Sequence, residues 1–262
     1  MNFSFVDPWH LYLPREGGHV ISFCGSGGKT SLLKAVAEIY AQADLPLVLT
    51  TTTRTEPLAD TPATDLADLD PGTAPRRFFL RDGLDADGKW QGVTPAVVDG
   101  LGELFPDRLV LVEADGAAKH PLKLYREDEP VLPDRTSLAL VVMGADAVGG
   151  FTRNVLHRHD RLDFPPLNGL TADAVVEWDH VHDLLTGPGG YLARIPEDIP
   201  VVLVLAGLGE VQDSIGLFGF VGRAMTHPRV RLVTFCETGP EDISFRTACR
   251  QDEDAAHDPD PT

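Results

Sequence analysis

The segment from Val20 to Val36 places an apolar run, a glycine-rich loop and a helical pattern in that order. The loop reads Gly25-Ser26-Gly27-Gly28-Lys29-Thr30-Ser31. Glycines let a backbone turn sharply and approach an anion, and the N-terminus of the following helix adds positive potential. The sequence therefore predicts a phosphate-binding loop, with Lys29 at the β- and γ-phosphates of a nucleotide and the Thr30 hydroxyl on Mg²⁺.

This loop is shorter than the strict Walker A motif. Phe23 stands five positions before Gly28, where that motif has glycine, so only the form Gly-x-x-Gly-Lys-Thr remains. The alternative is a glycine-rich turn with a surface lysine, which the strand–loop–helix setting disfavours. We predict that all seven residues, 25–31, bind a nucleoside triphosphate.

The rest of the chain alternates β-branched runs with helical patterns, which predicts βαβ units. We predict an α/β fold of the P-loop NTPase type: a mostly parallel sheet with helices on both faces. Residues 1–250 are predicted as one domain, with a disordered acidic tail at 251–262. The predicted strands cover residues 19–23, 46–52, 109–112, 137–143, 201–206 and, as the last, 230–235, and the predicted helices cover 31–43, 171–185 and 212–225.

Residues 56–107 interrupt this alternation, because several prolines break their first part. We predict that they form an insertion on the main sheet. Residues 78–80 and 90–93 are expected to pair as a hairpin across 85–88. Thr94-Pro95 is typical of a helix start, and Val97, Val98, Leu101 and Leu104 give that helix one apolar face.

Composition limits the possible functions. The 262 residues carry a net charge of −18, which disfavours a nucleic-acid-binding surface. No apolar run is long enough to span a membrane and the first 15 residues do not read as a signal peptide, so we expect a cytoplasmic protein. The spacing of Cys24, Cys236 and Cys249 matches neither a zinc cage nor a disulfide framework.

Carboxylates follow the apolar run at 109–112. Glu113 comes directly after it and Asp115 two residues later, so both side chains would point to one side of a continued strand. A carboxylate at such a position commonly holds Mg²⁺ or orients an attacking water. We predict that Glu113 and Asp115 serve metal binding and catalysis together with Lys29 and Thr30. The alternative is a solvated acidic pair.

Basic groups follow two of the predicted strands. Arg54 comes after a run of four threonines, and Lys119, His120 and Lys123 follow the acidic strand end. Open α/β sheets bind ligands at the carboxyl ends of their strands, so we predict that Arg54 contacts the nucleotide and that the other three face an anion. Surface salt bridges are the alternative for each residue.

The pair His157 and His159 is compatible with metal binding or with a polar loop. Two histidines at this spacing, without a distant third ligand, favour the loop. Their role stays open at the level of sequence.

An ordered set of motifs resembles the YqeC-like family of selenium-dependent hydroxylase accessory proteins. It consists of the strand and loop at 20–31, Leu49-Thr50-Thr51-Thr52-Thr53-Arg54, Val112-Glu113-Ala114-Asp115-Gly116-Ala117, Pro121-Leu122-Lys123, Glu129-Pro130-Val131, the strand end at 142–149, and His157-Arg158. The resemblance implies a P-loop protein linked to the maturation of selenium-dependent molybdenum hydroxylases, with such a hydroxylase or its molybdopterin cofactor as a partner.

Three functions are compatible with these features. The leading hypothesis is a Mg²⁺-dependent NTP-hydrolysing accessory factor. The alternatives are an ATP-dependent phosphotransferase or ligase acting on a small acidic metabolite, and a non-enzymatic partner that responds to nucleotide. ATP and GTP both remain candidates, because Ala206-Gly207-Leu208-Gly209 replaces the Asn-Lys-x-Asp motif that reads guanine in GTPases.

Overall fold

A computed structural model describes residues 3–6, 13–58, 61–116, 119–161, 167, 170–211, 213–238 and 243–250. The predicted tail at 251–262 lies outside these residues. The strands are β1 (Phe3–Val6), β2 (Val20–Gly25), β3 (Leu47–Thr51), β4 (Arg54–Thr55), β5 (Ala63–Asp65), β6 (Arg77–Arg81), β7 (Trp90–Gln91), β8 (Leu109–Glu113), β9 (Leu122–Lys123), β10 (Thr136–Gly144), β11 (Leu156–His157), β12 (Val201–Ala206), β13 (Val230–Thr238) and β14 (Ile243–Arg250). The α-helices are α1 (Lys29–Gln42), α2 (Pro95–Leu104), α3 (Thr152–Val155), α4 (Trp178–Thr186) and α5 (Ser214–Thr226).

Ten strands form the main sheet in the order β1-β14-β13-β12-β10-β2-β8-β3-β6-β5. The strands from β13 to β5 in this order are mutually parallel. β14 and β1 extend one edge in antiparallel pairing. The strand before the glycine loop, β2, therefore lies at the centre between β10 and β8, and the predicted α/β fold with a mostly parallel sheet is confirmed.

Helices cover both faces of this sheet. The buried side of α1, which includes Leu32, Val36 and Tyr40, packs on the face that also carries Ile21 and Phe23. The other face carries two clusters, one beneath α2 and one beneath α4 and α5. Successive side chains of each strand point to opposite faces, as the pleat of a sheet requires, so each strand contributes to the clusters on both faces. No helix in the described part of the chain is long and apolar enough to cross a membrane.

The helix predicted at 171–185 is wrong in its first half, since α4 begins only at Trp178. Backbone groups of the residues that precede α4 form hydrogen bonds with the segment around α3 instead of within a helix. Thr152 N–H donates to Ala174 C=O, and Val176 N–H donates to Gly150 C=O. These bonds remove the groups that a longer helix would need.

The segment 56–107 contributes to the main sheet. Its strands β5 and β6 lie at the edge beyond β3, where β6 runs parallel to β3. The hairpin predicted between 78–80 and 90–93 is wrong in its first strand, because 78–80 lie in β6 and β7 pairs with β4 in a separate two-stranded sheet. The predicted turn across 85–88 does form: Asp85 N–H donates to Lys89 C=O, and Leu84 forms an antiparallel bridge with Trp90. The predicted start of α2 is confirmed, and the Thr94 hydroxyl accepts from Val97 N–H. Leu104, predicted on the apolar face, is 44% exposed.

The predicted last strand, 230–235, continues to residue 238 and is followed by a further strand, β14. β14 turns back antiparallel to β13, and β1 pairs with its other side. The sequence prediction missed both β14 and β1.

Candidate functional site

The glycine-rich loop occupies the carboxyl end of the central strand. β2 ends at Gly25 and α1 begins at Lys29, so three residues make the turn between them. Gly25, Gly27 and Gly28 have φ angles of 92°, 90° and 112°, a region that favours glycine. Ser26 N–H donates to Val142 C=O at 2.8 Å and fixes the loop against β10. The glycines predicted to shape the turn therefore do so.

Lys29 is buried at the start of α1. Its ammonium donates to Gly25 C=O at 2.8 Å and lies 2.9 Å from Asp115 Oδ1. Asp115 Oδ2 accepts a hydrogen bond from Gly25 N–H at 2.8 Å. Burial would lower the pKa of Lys29, but the Asp115 and Glu113 carboxylates outweigh it and raise the pKa. Lys29 is therefore a charged group, held within the loop.

Glu113 lies beside the first turn of α1. Thr30 donates through its hydroxyl to both carboxylate oxygens, at 3.2 and 3.1 Å, and Thr55 donates to Oε2 at 3.3 Å. Burial raises the pKa of Glu113, against the opposing attraction of Lys29. Two oxygen-bearing side chains predicted to bind metal, Thr30 and Glu113, are thus adjacent. Oxygen donors of this kind suit Mg²⁺, which takes one or two protein ligands and completes its shell with phosphate and water.

Among the described residues there is no group of three or more His, Cys, Asp and Glu side chains that could hold a metal ion by themselves. The third residue predicted to bind metal, Asp115, has no exposed surface, and Gly25, Lys29 and Lys123 surround its oxygens. A Mg²⁺ at Thr30 and Glu113 would therefore take its other ligands from a nucleotide and from water.

A line of buried charges runs onward from the loop. Lys123 Nζ lies 3.5 Å from Asp115 Oδ2 and 3.2 Å from Glu129 Oε2. The Arg158 guanidinium donates two hydrogen bonds to the Glu129 carboxylate, at 2.6 and 2.8 Å. The side chain of Lys123 has no exposed surface. The prediction that Lys123 faces an anionic ligand is therefore wrong: it links two carboxylates inside the protein.

A cavity of about 710 Å³ opens beside the loop. Its floor includes loop residues 27–31, and its walls come from the segments after β3, β8 and β9 and from the end of β11. Six cations and three carboxylates line it: Lys29, Arg54, Lys89, Lys119, Arg126, Arg158, Glu56, Glu113 and Glu129. In a chain of net charge −18, this local excess of positive charge favours an anionic ligand.

Comparison with known proteins now bears on this site. A family model described as YqeC protein matches residues 21–160, which is more than half of the chain. The chain belongs to the YqeC family. It is also 32% identical over 223 residues to "Uncharacterized protein YqeC" of Escherichia coli (strain K12), covering 81% of this chain and 86% of that protein. No solved structure matches it.

The part of the chain that matches the YqeC family contains every predicted site residue and every residue that lines the cavity. Arg54 lines the cavity, with a side chain that is 68% exposed and lies 3.4 Å from Asp85 Oδ2, and its contact with a nucleotide stays a prediction. Lys119 lines it too, while His120 stacks on His157 with ring centroids 5.5 Å apart. The described residues supply no third ligand that could hold a metal ion together with His157 and His159.

The sequence analysis missed several charged residues that line the cavity. Glu129 and Arg158 entered only as part of the resemblance to the YqeC-like family, and Lys89 and Arg126 were not predicted as site residues. The available signal was weak, because Glu129 and Arg158 lie 29 positions apart. Tyr191, whose hydroxyl donates to Lys123 C=O and accepts from Lys123 N–H, lies outside the family match.

Glu129 should give the protein an acid-sensitive contribution to stability. Burial would raise its pKa, but the hydrogen bonds from Arg158 and the charge of Lys123 lower the pKa from 4.5 to about 2. A carboxyl with a lowered folded-state pKa stabilises the fold above its unfolded pKa, and this contribution disappears as pH falls towards the folded value. Between about pH 5.5 and about pH 3.5, Glu129 should account for a loss of about 1 kcal/mol in the free energy of unfolding.

Urea unfolding at the two pH values measures this loss. The Glu129→Gln variant should show a smaller pH dependence than the wild type. Glu103→Gln removes a carboxylate that is 82% exposed and 3.8 Å from Arg135, and it should leave the pH dependence unchanged. Equal pH dependence in all three proteins would contradict the ionised state of Glu129.

Proposed function

We propose that this protein binds a nucleoside triphosphate with Mg²⁺ at loop 25–31 and hydrolyses it. The observation that carries the proposal is the position of Lys29 and Thr30, side by side at the N-terminus of α1 and lining the cationic cavity. Helix N-termini with adjacent glycines bind phosphate through backbone N–H groups. The triphosphate would lie along the loop, with its terminal phosphate directed into the cavity.

Lys29 is suited to the terminal phosphates. An ammonium group has three hydrogens to donate, and Gly25 C=O and Asp115 account for two of them here. The third would reach a phosphate oxygen without loss of the existing contacts. Asp115 thereby acts as a positioning residue that holds Lys29 at the loop. A lysine fixed in this way can stabilise the charge that develops on the transferring phosphoryl group.

Thr30 and Glu113 are the residues that would hold Mg²⁺. The ion would neutralise phosphate charge. Glu113 would also orient the attacking water by accepting its hydrogen bond, and it would take the proton that the water loses. The water oxygen attacks the γ-phosphorus, and the bond from that phosphorus to the β–γ bridging oxygen breaks. The products are a nucleoside diphosphate and inorganic phosphate.

The proposal extends to an accessory role in the maturation of a selenium-dependent molybdenum hydroxylase or its molybdopterin cofactor. This part rests on the motifs that resemble the YqeC-like family. Hydrolysis would change the contacts of Lys29 and Glu113 at the loop, and such a change can alter the affinity for a partner protein. ATP and GTP are both retained as substrates.

Replacing Thr30 by valine should remove the Mg²⁺ dependence of nucleotide binding. Valine keeps the branched shape but loses the hydroxyl that contacts Glu113. We expect the wild type to bind nucleotide at least tenfold more tightly with Mg²⁺ than with EDTA, and the variant to show less than a twofold difference. Fluorescence titration with a labelled nucleotide measures both affinities.

Thr73→Val is the matched control, since the Thr73 hydroxyl donates to the Asp70 carboxylate at 3.0 Å outside the cavity. Its Mg²⁺ dependence should equal that of the wild type. A Thr30→Val protein that keeps the full effect of Mg²⁺ would remove Thr30 from the proposed metal site.

A phosphotransferase is the second candidate. The observation that favours it is the extent of the cavity beyond the loop, where the lining also includes the cations Arg54, Lys89, Arg126 and Arg158. A water molecule needs no such cations to act as the acceptor, whereas an acidic acceptor would bind to them through its charged group.

A further inference from the structure

The cavity has a second wall that the proposed nucleotide does not need. The wall comes from the connection between β8 and β10 and from the end of β11, and its cations are Lys119, Arg126 and Arg158. The triphosphate chain would already have the loop backbone, Lys29 and Mg²⁺ as counter-charges. The second wall therefore presents cations that the proposed hydrolysis does not use.

Arg158 is held in place at the cavity wall by contacts within the protein. Its guanidinium makes a two-point contact with Glu129 and also donates to Leu124 C=O at 2.6 Å. The Arg158 backbone has a φ of 66°, a region that side chains other than glycine rarely adopt. Tertiary contacts must stabilise this conformation, and such conformations cluster at ligand sites.

The other groups on this wall remain accessible. The Arg126 side chain is 49% exposed, and Lys119 is exposed at the cavity edge with no ion pair to any residue in the described ranges. His157 lies next to Arg158, and burial together with the Arg158 and His120 charges lowers its pKa to about 4. At neutral pH it is therefore an uncharged ring that can donate or accept one hydrogen bond.

The charge balance on this wall is uneven. The lining cations of this wall are Lys119, Arg126 and Arg158, and its one lining carboxylate is Glu129. Arg126, Arg158 and the buried Lys123 all lie within ion-pair distance of Glu129, and Arg126 also lies 3.3 Å from Asp128. Concentrated positive charge in a partly enclosed site attracts an anion and is stabilised by one. An arginine binds a phosphate or carboxylate group in a two-point geometry, which Arg158 already uses for Glu129 and which the exposed Arg126 can offer to a ligand.

We propose that Lys119, Arg126 and Arg158 form a second anion subsite, which takes a small molecule bearing a phosphate or carboxylate group while a nucleotide occupies the loop. This inference rests on the proposed nucleotide site, and it names the chemical class of a second substrate. The bound anion would lie in the same cavity as the terminal phosphate of the nucleotide. A carboxylate or phosphate oxygen of the bound anion would then attack the γ-phosphorus in place of water, and the bond to the β–γ bridging oxygen would break with the nucleoside diphosphate as the leaving group.

The test is calorimetry on the protein saturated with the Mg²⁺ complex of a non-hydrolysable triphosphate analogue. Inorganic pyrophosphate and glutarate are titrated separately, with excess Mg²⁺, and at least one should bind with a stoichiometry near one. The tighter probe distinguishes a phosphate from a carboxylate ligand. Arg126→Ala and Lys119→Ala should each raise the dissociation constant of that probe about tenfold, which corresponds to one charged hydrogen bond. Both residues are exposed, so these variants should fold.

Arg223→Ala is the matched control. Arg223 is 46% exposed and pairs with Asp179 at 2.7 Å, much as Arg126 pairs with a carboxylate at the surface, but it lies outside the cavity. It should bind the probe as the wild type does. Failure of both probes to bind the nucleotide-loaded protein would overturn the subsite, as would equal affinity in all variants. Failure of the analogue to bind in the first step would instead count against the proposed nucleotide site.

Discussion

The Asp115→Ala variant should be less stable than the wild type by about 3 to 5 kcal/mol in the free energy of unfolding. Asp115 has no exposed surface and lies between two buried lysines, 2.9 Å from Lys29 and 3.5 Å from Lys123. Removing the carboxylate leaves two buried positive charges without their shared partner. It also leaves Gly25 N–H without an acceptor at the loop. Urea unfolding followed by circular dichroism measures the loss.

The Asp179→Ala variant is the control for this effect. It breaks the pair with Arg223 at 2.7 Å, but the Asp179 side chain is 78% exposed, so the cost should stay below about 1 kcal/mol. Adding Lys29→Met to Asp115→Ala should restore part of the lost stability, because it removes one uncompensated charge. A small cost for Asp115→Ala would mean that these charges are not paired inside the protein.

The Lys29→Ala variant should lower kcat/KM for phosphate release by at least about a hundredfold. Lys29 is the charged group that the account places on the terminal phosphates, and the loss of such a group from a catalytic site typically costs this much. The measurement is phosphate release with Mg²⁺ and either ATP or GTP. Circular dichroism on the same samples checks that the variant is folded.

Lys34→Ala removes a charge from the exposed side of the same helix, away from the cavity. Its rate should match that of the wild type. Equal rates for wild type and Lys29→Ala would contradict the hydrolysis proposal, since any phosphate released would then come from another source.

The loop was predictable because its constraints are local. Three glycines with positive φ and the following lysine are all encoded within a few residues. The neighbouring carboxylates were predictable because parallel strands end at one edge of a sheet: the register that aligns Phe23 with Glu113 brings Glu113 to Thr30.

The buried ion pairs of Lys123 next to the cavity could not be predicted in the same way. The burial of Lys123 depends on contacts with Glu129 and with Tyr191, which lies 68 positions away. Sequence spacing carries no information about such a distant partner, and a lysine is normally expected at the surface. The late start of α4 also depends on distant partners. The residues predicted to form its first turns use their backbone groups in hydrogen bonds to the segment around α3.

The most direct test of the account is a calorimetric titration of the folded protein with non-hydrolysable analogues of ATP and GTP. We expect at least one analogue to bind a single site in the presence of Mg²⁺, and this binding should weaken in EDTA and in Lys29→Ala. If neither analogue binds the folded wild-type protein at millimolar concentration with excess Mg²⁺, the loop does not hold a triphosphate and the central claim is wrong.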